Sequence, residues 1–280
     1  MTYGHALRTE ARAGQERRGT RGPNIPLNCV VAAGIFGERK GALAGDAGAN
    51  FGWSFAMLRL VIGNKNYSSW SMRPWLAMQV AGIAFDEVLI PLYDGDYKAA
   101  ILRHSPTGKV PCLIDGDLRV WESLAILEHL AERFPDRGLW PADGAARAEA
   151  RSVAAEMHAG FSAVRRLLPM NLARPIAPRA LTSEAAANVT RVLAIWRSCR
   201  ERFGAGGPFL FGAFSAADAM FAPVVTRFRT YDVAVDEDAA AYMAAVESLP
   251  AFKAWKAAAL KEPWVIEASE VDWPEVKRMS

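Results

Sequence analysis

The stretch KVPCLIDGDLRVWES, residues 109–123, sets two apolar runs, 110–114 and 118–121, on either side of Asp115-Gly116-Asp117. An Asp-Gly pair between short apolar runs signals a β-hairpin, because glycine accepts the positive φ that a tight turn requires. Working outward toward the N-terminus, residues 93–103 read as a short helix or irregular turn. Residues 85–90 read as a strand stopped by Pro91, and 71–81 as a helix that ends before Gly82. Residues 58–62 form a short apolar run expected to be a buried strand. On the other side, Leu124, Leu127, Leu130, Ala131 and Phe134 recur at helical spacing until Pro135 closes the helix.

The resulting order is strand, helix, strand, irregular helix, strand, strand, helix: a parallel crossover unit followed by an antiparallel hairpin. This βαβαββα order is that of a thioredoxin-like domain, expected over residues 57–135, and residues 136–142 read as a linker. Residues 143–270 are expected to form an all-α helical bundle, giving a two-domain protein of α+β then α class. Its stripes are Ala154, Met157, Phe161, Val164 and Leu168; then Val189, Val192, Leu193, Trp196 and Phe203, ended by Gly204. Phe221, Val224, Val225 and Phe228 make a third, around Pro223 as an expected kink; Tyr242, Val246 and Leu249 a fourth; and Phe252, Trp255 and Leu260 a fifth. Aromatic residues at such spacing are read as packing.

The 280 residues are 51% hydrophobic and 22% charged, enough apolar material for a sizeable core. The formal net charge is +3, but seven basic and four acidic residues precede Met57, so the whole surplus lies there. The balanced remainder gives no reason to expect nucleic acid or an anionic membrane as partner. No uninterrupted apolar run of membrane-spanning length occurs. Residues 1–56 are rich in Gly, Ala and Arg and lack a clean signal peptide. They are expected to be a disordered extension, or an artefact lying upstream of a true start at Met57. Three cysteines without a Cys-x-x-Cys pair, and four scattered histidines, argue against a disulfide framework or a metal site and fit a reducing, cytoplasmic setting.

Three constellations can carry chemistry. Asn66-Tyr67-Ser68-Ser69-Trp70-Ser71-Met72-Arg73-Pro74 lies between the first strand and the first helix, where hydroxyls and free backbone N–H groups meet the positive end of a helix. The same residues also suit a plain serine N-cap. Ser105 to Leu113 carries Val110-Pro111 directly before a strand; a cis peptide there turns the Val110 backbone outward to pair with a peptide ligand. Glu122-Ser123 sits between the last strand and the next helix, where Ser123 is expected to cap the helix and Glu122 to meet an ammonium group.

Together these motifs resemble the cytosolic glutathione transferase superfamily over residues 58 to about 260. The Ser-Ser-x-Ser-x-Arg run is most similar to serine-type classes, especially zeta, which includes maleylacetoacetate isomerases. The resemblance implies that Ser68, five residues before Arg73, is the catalytic hydroxyl, and that Lys109, Val110, Glu122 and Ser123 bind glutathione. Tyr67, Ser69 and Trp70 are possible assistants; Trp70 stands where zeta enzymes carry cysteine. Phe214-Ser215-Ala216-Ala217-Asp218 looks like the family's buried N-cap motif, a folding element. Arg73 is expected to tie down its helix or a carboxylate.

The resemblance further implies glutathione as cosubstrate, no metal, a small hydrophobic electrophile and a homodimer. The alternatives are a glutathione-dependent isomerase and a transferase-like binding module without catalysis. The electrophile pocket is expected between the domains, walled by Trp70 and by the helix carrying Met157, His158 and Phe161. A free thiol titrates near ~8.5. Lowering that by about two units needs roughly 2.7 kcal/mol, within reach of one serine hydrogen bond to sulfur (about 1.5–3 kcal/mol) plus a helix dipole (about 0.3–1 kcal/mol).

Overall fold

A computed structural model describes residues 57–272, so the expectation for residues 1–56 lies outside the described chain. Strand β1 (Leu58–Ile62) is followed by α1 (Ser69–Val80), β2 (Phe85–Leu89), α2 (Tyr97–Leu102), β3 (Cys112–Asp115), β4 (Leu118–Trp121) and α3 (Ser123–Arg133). The sheet order is β2-β1-β3-β4, with β1 parallel to β2 and the other pairs antiparallel. This is the thioredoxin-like arrangement. The hairpin pairs Asp115 with Leu118, so its two turn residues are Gly116 and Asp117, and Gly116 takes the positive φ of 57°.

The pleat of β1 sorts its residues. Leu58, Leu60 and Ile62 face the main core with Met72 and Leu76 of α1, whereas Val61 turns to the opposite face with Ile101, Cys112 and Ile114. Helix α1 begins two residues before the expected 71, because Ser68 occupies its N-cap and accepts from Ser71 N.

The second half is helical: α4 (Gly144–Ala159), α5 (Ser162–Leu167), α6 (Ser183–Phe203), α7 (Ala216–Thr230), α8 (Glu237–Ser248) and α9 (Pro250–Ala259). The stripe from Ala154 to Leu168 therefore spans two helices. Gly160 is extended and Phe161 takes φ 57°, which turns the chain between them. Helix α7 lies against both α1 and α4, and the core runs unbroken from Leu60 and Met72 to Met220, Phe221 and Val225.

After α9 the chain returns to the loop following β1. The Glu262 carboxylate accepts from Lys65 N (2.6 Å) and Asn66 N (3.0 Å), and Trp255 Nε1 donates to Lys65 O (2.9 Å). Glu262→Ala strands those two backbone donors and is expected to cost about 1–3 kcal/mol of unfolding free energy, read by urea denaturation.

Candidate active site

Two adjoining hollows open beside the loop that leads into β3. The smaller, about 180 Å³, is lined by Trp70, Thr107, Lys109, Val110, Pro111, Trp121 and Glu122. The larger, about 870 Å³, has Tyr67, Ser68, Ser69 and Trp70 at one wall and Tyr97, Ile101 and Leu102 among the residues opposite. Thr107, Lys109, Val110 and Trp70 belong to both. One continuous groove therefore leads from Glu122, past the Val110 backbone, to Ser68.

Each part has a local cause. The Val110–Pro111 peptide is cis, and Val110 stands outside the ladder, which starts at Cys112. Glu122 takes φ 68° and ψ 126°, a conformation that costs a non-glycine residue on the order of 1 kcal/mol or more and is found most often at functional sites. That residue, not Ser123, is the N-cap of α3. Ser123 is its first helical residue, fully buried, with its hydroxyl directed at Met220 Sδ 3.9 Å away. The expected capping by Ser123 is thus corrected: the sharp turn at Glu122 starts the helix one residue earlier, at Ser123, whose side chain lies inward. Ser123 does not line either hollow.

At the other end Ser68 lines the cavity and also caps α1. Its Oγ donates to Ser71 Oγ (2.7 Å), which in turn accepts from Gly63 N (3.1 Å). Tyr67 borders the same cavity, but its phenol donates to Glu270 in the segment after α9. Tyr67→Phe is therefore expected to keep glutathione turnover within about threefold of wild type, because its hydroxyl is engaged away from Ser68. A steady-state assay with a chromogenic electrophile measures this.

Trp70 spans both hollows. The Arg73 guanidinium lies 4.1 Å from its ring centroid, that of Arg165 5.2 Å, and the His158 ring meets it edge-on at 5.2 Å. His158 Nε2 is 3.6 Å from Glu122. Burial holds this imidazole below its ordinary range against the pull of Glu122, and Arg73 and Arg165 push it further down. Among the described residues Arg73 meets no carboxylate; its Nε donates to Met220 O (3.0 Å), fastening α1 to α7.

The expected electrophile wall is corrected in part. Met157 and Phe161 are buried in the core. Instead Ile266, Ala268 and Ser269 of the C-terminal segment border the larger cavity, a contribution with no local signature in the sequence. Arg227 carries one local signal in the sequence, a basic residue inside the largely apolar VVTRF run of α7.

Comparison with known proteins agrees with this architecture. Residues 67–133 match the glutathione S-transferase N-terminal domain and residues 179–258 the C-terminal domain. The chain belongs to the glutathione S-transferase family. Within it, the chain is 35% identical over 77 residues to glutathione S-transferase 1 of Dianthus caryophyllus, covering 27% of this chain and 35% of that protein. It is 31% identical over 106 residues to a probable maleylacetoacetate isomerase of Caenorhabditis elegans, covering 38% and 49%. The chain thus spans a third to a half of the length of these curated relatives. A glutathione transferase homolog from Burkholderia, solved with bound glutathione, shares the fold at a TM-score of 0.57 and 20% identity, over 74% of this chain and 100% of that one. The mango tau-class transferase does so at 0.56 and 21%, over 76% and 96%.

Proposed function

We propose that this chain is a glutathione transferase that holds the glutathione sulfur as a thiolate at Ser68 and directs it at a hydrophobic electrophile. One observation carries the reading: the Lys109–Val110 wall common to both hollows joins Glu122 to Ser68 in a single groove. In this reading the γ-glutamyl ammonium meets Glu122, and the cysteinyl backbone pairs with Val110, which the strand ladder leaves unused. Lys109 lies where a carboxylate of the peptide can reach it. Ser123 contributes through its place in the first turn of α3, whose N-terminus favours a carboxylate.

The Ser68 hydroxyl rotates from Ser71 Oγ to the sulfur and donates; it does not attack. The thiolate electron pair then forms a carbon–sulfur bond, and the electrophile's leaving group departs with its own pair. Tyr97, Ile101, Leu102 and Ile266 give the cavity the apolar lining such a substrate needs.

The likeness to the nematode isomerase favours glutathione-dependent isomerisation as a second reading. We further propose a cytoplasmic homodimer. The buried, unpaired thiols of Cys112 and Cys199 suit a reducing compartment. Leu118 and Trp121 expose apolar surface on the sheet's edge strand β4. Calorimetric titration with glutathione, together with turnover of a chromogenic aryl halide and of maleylacetoacetate, tests the function. Binding with turnover of the halide supports the transferase, turnover of maleylacetoacetate alone the isomerase, and binding without any turnover a non-catalytic module. Absence of binding rejects all three.

A further inference from the structure

Three guanidinium groups from three helices converge behind Ser69 and Trp70: Arg73 of α1, Arg165 of α5 and Arg227 of α7. Arg73 and Arg227 are 1% and 6% exposed. Arg73 Nη1 and Arg227 Nε are buried without a hydrogen-bond partner. Elsewhere in the protein a buried arginine meets a carboxylate, as Arg174 does at Asp272 and Arg133 at Asp115. Among the described residues no carboxylate pairs with any of these three. Burial, then the neighbouring arginines, holds Arg73 well below the ordinary arginine range; burial together with Arg165 pulls Arg227 down to about 10, still cationic at neutral pH.

Buried like charges without a counter-charge are costly, and apolar replacements are commonly more stable. A bound anion would offset this charge, and Arg227 is linked to the cavity by one hydroxyl. Arg227 Nη2 donates to Ser69 Oγ at 3.4 Å, and Ser69 lines the cavity beside Ser68. The Ser68 proton is engaged by Ser71 Oγ. The Ser69 proton meets no protein acceptor among the described residues, and with its oxygen accepting from a cation it is a strengthened donor.

We propose that Arg227 is a positioning residue: backed by Arg73 and Arg165, it fixes the Ser69 oxygen so that the Ser69 proton points into the cavity and, with its positive field, stabilises the glutathione thiolate. This rests on the glutathione reading above. Among the described residues, the other titratable groups facing the cluster are His158 of α4, Glu122 before α3 and Tyr231, which directly follows α7. Lys98 and Lys109 border the cavity itself.

The test is a spectroscopic titration of the thiolate absorbance of glutathione bound to the full chain, with affinity followed by calorimetry on the same samples. Removing a cation must raise the thiol pKa. Arg227→Gln is expected to shift the titration up by about one unit, Arg227→Lys by less, and Ser69→Ala by about as much as Arg227→Gln. In the Ser69→Ala background, Arg227→Gln adds less than it does alone, which a purely structural role does not produce.

Should Arg227→Gln fail to fold, Ser69→Ala and Arg227→Lys carry the test. An unshifted titration in Ser69→Ala, or in any folded Arg227 variant that binds glutathione, overturns the inference and leaves the glutathione reading intact. So does an unshifted titration accompanied by a tenfold rise in KM for a carboxylate-bearing electrophile and not for a neutral one, because the arginines then serve the second substrate. A wild-type chain that binds no glutathione overturns both.

Discussion

Asp218→Ala is expected to lower the unfolding free energy by about 3 kcal/mol at pH 5. Asp218 is fully buried at the start of α7 and accepts from Leu210 N (3.0 Å), Ser215 N (2.8 Å) and Ser215 Oγ (2.9 Å). Ser215 and Asp218 form a reciprocal capping box. Alanine strands two buried backbone N–H groups at about 1–3 kcal/mol each and leaves a small void. Burial pushes the Asp218 carboxyl up to about 6 from its ordinary 3.8. An acid with a raised folded pKa holds extra proton in the folded state between those two values. Its contribution to stability is therefore full below the lower value and is lost as pH rises through about 6. The loss caused by Asp218→Ala should accordingly shrink between pH 5 and pH 8, in thermal melts of both proteins run in parallel. A wild-type melting temperature for the variant at pH 5 rejects the role.

What the sequence disclosed, and what it withheld, follows from the range of the interactions. The hairpin at Gly116, the helices ending at Val80 and Phe203, and the capping box at Ser215 are written within a few residues of one another, so their turn and cap chemistry is legible locally. The break between α4 and α5 was not, because Ala154, Met157, Phe161, Val164 and Leu168 keep helical spacing across it while the extended backbone of Gly160 and the positive φ of Phe161 interrupt the helix. The Ser123 cap failed for a similar reason: whether Glu122 or Ser123 begins α3 depends on a backbone rotation that residue type alone does not specify. The groove from Ser68 to Glu122 was legible as a set of motifs. Its supports were not. Ser69 and Arg227 are 158 residues apart, and Lys65 is 190 from Trp255, so only the folded chain brings them together.

Ser68→Ala is expected to reduce kcat/KM for glutathione conjugation by about tenfold to a hundredfold, the loss of one hydrogen bond to a charged sulfur. Two features complicate a single measurement. Ser68 caps α1, accepting from Ser71 N at a long 3.4 Å, so alanine also removes up to about 1 kcal/mol of stability. And Ser69, one residue on, offers a second hydroxyl to the same cavity. Ser68→Thr separates the first effect, since it restores the donor and should recover most of the activity. The Ser68→Ala, Ser69→Ala double variant separates the second. If both hydroxyls donate to the thiolate, the double loss exceeds either single loss, and the acid limb of the kcat/KM profile moves upward with each hydroxyl removed. Tyr67→Phe should leave that limb where it is, because its phenol is held by Glu270. Full activity in Ser68→Ala together with a collapse in Tyr67→Phe would transfer the donor role to the tyrosine. It would also require Glu270 to release that phenol when glutathione binds, a movement that hydrogen exchange of residues 266–272 would register.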